Sequence, residues 1–169
     1  MRAMNSLPEI IAVDLANPGH LAALRALLDE YARTTEGGGE ALAADVLERL
    51  PDALAASRCY AGWLAFVDGV PAGLVNCFAG VSTFRALPLL NIHDIVVSAP
   101  FRRRGIGRAL LTTVEAAARE RGCCKLTLEV LEGNTGAIAA YRQAGFAPYA
   151  LDPAMGRAMF FEKKFQPFN

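Results

Sequence analysis

The 169-residue sequence predicts an α/β (α+β) domain in which one mixed sheet is flanked by helices. Three observations predict it. The apolar run 92–97 leads through Arg102-Arg103-Arg104-Gly105-Ile106-Gly107 into a helical pattern, which reads as strand, turn and helix. Asp68-Gly69 joins two apolar runs, a strong hairpin signal. An alternating stretch at 125–130 is followed by a second short helical pattern around Ala137 to Arg142.

Taken in order, residues 9–14 read as the first strand. Asn17 and Pro18 fit a helix cap and first helical position, with Leu21, Leu24, Leu27, Leu28 and Tyr31 on one face. Gly37-Gly38-Gly39 breaks that helix. Leu42, Val46, Leu47 and Leu50 mark a second, which Pro51 is expected to stop. Residues 60–67 and 70–79 form the hairpin, and 82–90 is expected as an irregular loop before the fourth strand. The helix after Gly105 is amphipathic through Ile106, Leu110, Val114 and Ala117, and Gly122 suits its C-terminal end. Asn134 opens the next helix, which leaves through Gly145-Phe146. A short strand, a loop at 151–157 and a last strand near 159–165 complete the order β-α-α-β-β-β-α-β-α-β-β.

The chain is expected to be a single domain over 1–169, long enough for a substantial core. Apolar residues make up 53% and charged residues 20%, a composition that folds rather than stays disordered. Lys plus Arg and Asp plus Glu stand at 17 each, so no global field favours nucleic acid or an anionic membrane, and neither partner is expected. The four cysteines, at 59, 77, 123 and 124, lack metal-ligand spacing, and adjacent Cys123-Cys124 are poorly placed for a shared disulfide or tetrahedral site. No metal is expected. Cys59 and Cys77 read as small core residues. With no 18-residue apolar stretch and no signal pattern at the N-terminus, cytoplasmic location is the default expectation.

The turn at 102–107 carries the chemistry. Two glycines let the backbone curl with its N–H groups outward at the positive end of a helix, which makes an anion cradle. Three adjacent arginines suit a polyphosphate better than a lone carboxylate. A nucleotide P-loop would close with Gly-Lys-Ser/Thr, but Arg108-Ala109 follows here. The dinucleotide fingerprint fails as well, because Leu110 stands where a third glycine is needed for close helix–strand packing.

Arg-x-x-Gly-x-Gly at 102–107, after a strand, resembles the acetyl-CoA pyrophosphate loop of the GCN5-related N-acetyltransferases (GNAT). The surroundings extend the likeness. His93-Asp94-Ile95-Val96-Val97 with Pro100 and Phe101 is similar to the fourth strand of that family. Asn134, Tyr141 seven residues on and the Gly145-Phe146 exit are similar to the second half of its acyl-CoA site. The resemblance is specific from about residue 90 to 147.

It implies the GNAT acyl-CoA N-acyltransferase fold and acetyl-CoA as cosubstrate, with the pyrophosphate on Arg102, Arg103, Arg104, Gly105, Ile106, Gly107 and Arg108. The fourth and fifth strands would splay, leaving main-chain groups of Ile95, Val96 and Val97 to pair with the pantetheine arm and to polarise the thioester carbonyl. Tyr141 would contact the cofactor and protonate the leaving sulfur; its alternative is packing on Ile138 and Phe146. Asn134 would anchor pantetheine, besides capping its helix.

An amine with a pKa of roughly 10 needs a base or a desolvating pocket near neutrality. His93 stands where arylalkylamine-type members carry a histidine, while Asn91 replaces the glutamate of histone-type members. On a regular strand Asn91, His93 and Ile95 share one face and Asp94 and Val96 the other, so Asp94 is expected to support loop structure away from the site. The alternative for His93 is a hydrogen-bonded strand residue.

The implied activity is acetyl transfer from acetyl-CoA to the primary amine of a small molecule or peptide, in a ternary complex. A non-catalytic acyl-CoA-binding sensor is the alternative; it would need the glycine turn but not Tyr141. A purely structural interaction domain leaves the arginine–glycine turn unexplained. The acceptor pocket would come from the first helix pair, the 82–90 loop and the segment before the last strand, with Asp29, Glu30, Glu36 and Glu40 placed to draw a cationic amine. GNAT domains are commonly dimers, which leaves a homodimer open.

Overall fold

A computed structural model describes residues 7–165, so the ends of the expected 1–169 domain lie outside the described residues. In chain order the elements are β1 (Glu9–Ala12), α1 (Pro18–Ala32), α2 (Ala44–Ala56), β2 (Tyr60–Val67), β3 (Val70–Ser82), β4 (Leu87–Val97), α3 (Ile106–Glu120), β5 (Leu126–Leu128) and α4 (Thr135–Gln143). Single 3-10 turns lie at Thr35–Gly37, Ala99–Phe101 and Pro153–Met155. One sheet holds the strands in the order β1-β2-β3-β4-β5. Its first four strands are antiparallel neighbours, and β5 runs parallel to β4.

Strand alternation sends side chains to two separate cores. On one face Leu64, Leu74 and Val96 pack with Ala23, Leu24 and Leu27 of α1 and Leu54 of α2. On the other, Trp63, Val75, Cys77, Leu90 and Ile92 pack with Ile106, Leu110, Leu111 and Val114 of α3. Helix α1 starts as its sequence predicts: the Asn17 Oδ1 accepts from the N–H groups of Gly19 (2.8 Å) and His20 (3.3 Å). Helix α3 lies close to the sheet although Leu110 is no glycine, because the glycine is on the strand instead. A Cβ at Gly73 would stand 3.1 Å from both Ile106 Cγ2 and Leu110 Cδ1 and 3.0 Å from the Val96 carbonyl oxygen.

Five expectations are corrected. Pro51 does not stop the second helix; α2 continues to Ala56 with Pro51 inside it. A proline there leaves the carbonyl four residues back without its donor. That carbonyl belongs to Leu47, and Arg25 of α1 supplies the missing bond, Nε donating at 2.7 Å. The expected 82–90 loop shrinks to a turn, because β3 persists to Ser82 and β4 starts at Leu87, pairing Ser82 with Leu87. The first and fifth strands are shorter than their alternation suggests, at Glu9–Ala12 and Leu126–Leu128. Cys59 precedes β2 and is exposed, whereas Cys77 is buried as expected.

The two C-terminal strands are absent from 147–165, so the order of described elements ends at α4 and a 3-10 turn. An edge of three residues in β5 offers little to pair with, Pro148 and Pro153 remove donors, and Met159-Phe160-Phe161-Glu162-Lys163-Lys164-Phe165 lacks strict alternation. The segment instead touches the body through Lys125, whose Nζ lies 5.9 Å from the Tyr149 ring centroid, and through an Arg157–Glu132 ion pair at 2.7 Å.

Candidate active site

The site begins where β4 loses its second neighbour. Leu90, Asn91 and Ile92 pair with Leu126, Thr127 and Leu128, and there the β4–β5 ladder ends. Beyond Ile92 the chain keeps only β3 as a partner. Main-chain groups of residues 93–97 on the β5 side therefore face a gap, as a splayed pair requires. The gap opens into a cavity of about 1090 Å³ lined by Ile95, Val97, Gly107, Arg108, Leu111 and Tyr141, and continued by Cys123, Cys124 and Lys125 below α4. That volume lies just above the usual ligand-pocket range of roughly 300–1,000 Å³.

The turn before α3 has the predicted shape. Arg103 (φ 63°) and Gly105 (φ 79°) are both left-handed, which curls the backbone and presents N–H groups to one side. The first bond closing α3 runs from Ala109 N–H to the Gly105 carbonyl, and Gly105 has no side chain to cap the helix. The N–H groups of Ile106, Gly107 and Arg108 are thus without intrahelical acceptors. Gly107 and Arg108 stand on the cavity wall itself. The other arginines are deployed differently. Arg102 Nε donates to the Val97 carbonyl at 3.1 Å, Arg104 lies 5.4 Å over the Phe101 ring, and Arg103 is exposed.

Tyr141, on α4, reaches the cavity from the opposite wall and packs edge-on against Phe146, ring centroids 5.9 Å apart. Burial pushes its phenol above the ordinary tyrosine value, and the charge of Tyr31 adds to the shift. It is a protonated group at neutral pH. Asn134 caps α4, its Oδ1 accepting from Ala137 N–H at 3.2 Å, which leaves its NH₂ as the group available to a ligand.

The expected division of β4 holds for Ile95 against Asp94 and Val96 but fails for His93, because the strand carries a bulge. Asn76 of β3 pairs with Asp94, yet the next residue, Cys77, pairs with Ile92, so His93 is one residue too many. The alternation shifts there. Ile92, Ile95 and Val97 all pack toward α3, while Val96 packs toward α1. His93 lies edge-on to Phe78 at 5.4 Å, and Phe78 belongs to the α1-side cluster. Asp94 comes to the same side: the Asn76 Nδ2 donates to its Oδ2 at 3.0 Å, and Asn76 Oδ1 accepts the Tyr60 hydroxyl at 3.0 Å. Burial, first, and the charges of Cys77 and Asp94 push the Tyr60 phenol well up.

Asp94, Asn76, Tyr60 and Tyr31 are residues the sequence reading missed or set aside. The available signal was Asn76, a polar residue in the middle of an apolar strand. Of the acids placed on the acceptor side, Asp29 accepts from Leu42 N–H (2.7 Å) and Arg33 Nε (2.9 Å), and Glu30 accepts from Ala99 N–H (2.8 Å). Among the described residues no group of His, Cys, Asp and Glu could hold a metal ion, and no helix is long and apolar enough to cross a membrane.

A sheet that parts beside a glycine-capped helix, with a tyrosine facing the gap, defines an acyltransferase-like architecture. The chain belongs to the Acetyltransferase (GNAT) family, whose profile matches residues 22–146. It is 46% identical over 88 residues to the streptothricin acetyltransferase of Streptomyces lavendulae, covering 52% of this chain and 44% of that protein. Likewise it is 40% identical over 86 residues to the N-alpha-acetyltransferase MAK3 of Arabidopsis thaliana, covering 50% of this chain and 43% of that one. The matched stretch thus spans less than half the length of these relatives. Among solved structures, a possible acetyltransferase from Clostridium difficile 630 superposes with a TM-score of 0.75 at 21% identity, covering 95% of this chain and 100% of that one. The aminoglycoside N-acetyltransferase AAC(6')-Iy in complex with CoA superposes with a TM-score of 0.70 at 19% identity, covering 94% and 96%. At such identity these two likenesses establish the fold.

Proposed function

We propose that the chain is an acetyl-CoA-dependent N-acetyltransferase, acting as one domain on the primary amine of a small molecule or peptide in a ternary complex. The observation that carries this reading is the end of the β4–β5 ladder at Ile92–Leu128, beside a cavity reached by both the α3 N-terminus and Tyr141. Bound acetyl-CoA supplies an activated acetyl group that a neutral amine can attack, with a thiolate leaving. The residues present fit such a molecule. The N–H groups of Ile106, Gly107 and Arg108, at the positive end of α3, would hold its pyrophosphate with help from the arginine side chains. The main chain of Ile95 and the N–H of Val97, on the side β5 leaves, would take the amides of pantetheine and, through one N–H, the developing oxyanion. Tyr141, kept protonated by burial, would give its proton to the departing sulfur. His93, exposed on the acceptor side of the bulge, would receive the proton the amine loses, directly or through water.

Relatives match this class. The names of the streptothricin acetyltransferase and of the [ribosomal protein bS18]-alanine N-acetyltransferase of Escherichia coli (40% identical over 56 residues) describe a small-molecule and a protein acceptor. The test is thiol release from acetyl-CoA, read with DTNB, with and without a panel of primary amines. Release that depends on an amine supports the enzyme. Tight CoA binding with no amine-dependent release favours the acyl-CoA sensor instead.

A further inference from the structure

We infer that the Asp94 carboxylate is the binding group for the acceptor, which therefore enters as an ammonium ion: the substrates are alkyl primary amines, not aryl amines that are neutral at pH 7. This deepens the acetyltransferase reading and rests on it. The first support is place. Asp94 faces α1, with His93 brought beside it by the bulge, while the very next residue, Ile95, lines the cavity that holds Tyr141. Asp94 thus stands at the start of the unpaired stretch of β4, next to where the reacting carbonyl would be held.

The second support is attachment. A side chain 2% exposed, Asn76, donates to Asp94 Oδ2, and Asn76 is itself oriented by the Tyr60 hydroxyl. The carboxylate is fixed in position by neutral groups before any ligand arrives, so a ligand meets it without a cost of ordering.

The third support is a missing cation. Asp94 is half-buried, yet the ion pairs among the described residues involve Asp29, Asp45, Glu115, Glu132 and Glu162, not Asp94. A carboxylate drawn partly out of water is destabilising unless a cation meets it, and a neutral asparagine or serine could accept the Asn76 bond without that cost. The charge a ligand would bring is the one the protein leaves out. Of the other acids on this side, Asp29 has its cation in Arg33 and also accepts from Leu42 N–H, and Glu30, like Asp94, is held by one neutral donor, Ala99 N–H. The field of Asp94 also reaches Tyr31, raising its phenol after burial, and Tyr31 in turn acts on Tyr141.

The experiment is calorimetry on the CoA-loaded protein with n-butylamine, 1,4-diaminobutane and benzylamine, against aniline and the uncharged isostere n-butanol. At least one alkylammonium is expected to bind, with roughly tenfold to hundredfold weaker affinity in Asp94→Asn, partial recovery in Asp94→Glu, and CoA affinity unchanged in both. Aniline and n-butanol are expected not to bind. Equal affinity in wild type and Asp94→Asn overturns the inference. So does the failure of every alkylamine to bind wild type, or aniline or n-butanol binding as tightly as the amines; these arms use wild type alone and stand even where a variant misfolds. Asp94-dependent binding without acetyl transfer would leave this inference in place and remove the proposed reaction. Transfer to aniline independent of Asp94 would do the reverse.

Discussion

The two faces of β4 meet over five residues and are built by different means. Toward α3 and α4, the parts proposed to hold the donor are mainly backbone: the α3 N-terminus, the unpaired edge of residues 93–97 and a turn curled by Gly105, with Tyr141 as the proposed proton donor. Toward α1 and α2, the wall is side chains: His93, Asp94 and the Tyr60–Asn76 relay. A backbone wall recognises what its ligands have in common, such as phosphates and amides. A wall of side chains can be rebuilt residue by residue. The contrast gives one fold a fixed donor half and an adjustable acceptor half.

The largest test of this contrast is Tyr141→Phe. Turnover is expected to fall by about ten- to a thousandfold while acetyl-CoA affinity holds, because a proton donor is lost and the ring still packs on Phe146. The pH profile sharpens the point. A phenol raised above its ordinary value stays protonated through neutrality, so its activity loss belongs above pH 10 and no limb below that is its own. A normal turnover in the variant, with chemistry rate-limiting, would reduce Tyr141 to packing.

Next comes Gly105→Val. No atom lies within 4 Å of a Cβ there, so the cost is the left-handed φ of 79° alone, about 1–2 kcal/mol, and CoA affinity is expected to fall roughly five- to thirtyfold. Amine binding at Asp94 should be untouched; if it falls equally by calorimetry, the two walls are not separable. The smallest effect is expected from His93→Gln. It should lower kcat/KM by less than about tenfold, since an exposed position lets water take the proton. A kcat/KM equal to wild type would leave His93 as a ring packed edge-on to Phe78.

How much could be read from the chain follows the same line. The glycine spacing at 105 and 107 dictates a backbone shape, so the anion turn and α3 were legible, as was the Asn17 cap of α1. Strand pairing beyond near neighbours was not. The bulge at His93 depends on how β3 and β4 settle against each other, and no local pattern marks it, so alternation put His93 on the face of Ile95 instead of beside Asp94. Pro51 misled for a related reason. Its local rule is correct, but Arg25, twenty-six residues earlier in sequence, removes the penalty. The absent strands after Phe146 show the converse: apolar content without an edge to join is not enough for a strand.

The bond from Arg25 to the Leu47 carbonyl has a consequence for how the acceptor wall can move. The middle of α2 is completed only by a side chain of α1, so α2 is a conditional helix that exists where α1 already stands. The two helices then form one cooperative unit, losing protection together rather than fraying in turn. Residues 37–39, where Gly38 and Gly39 take positive φ, fold back on the end of α1, the Gly39 N–H donating to the Ala32 carbonyl at 3.0 Å. An acceptor of a different size would be met by displacement of a whole helical pair against a fixed sheet, with Asp94 staying where the sheet puts it.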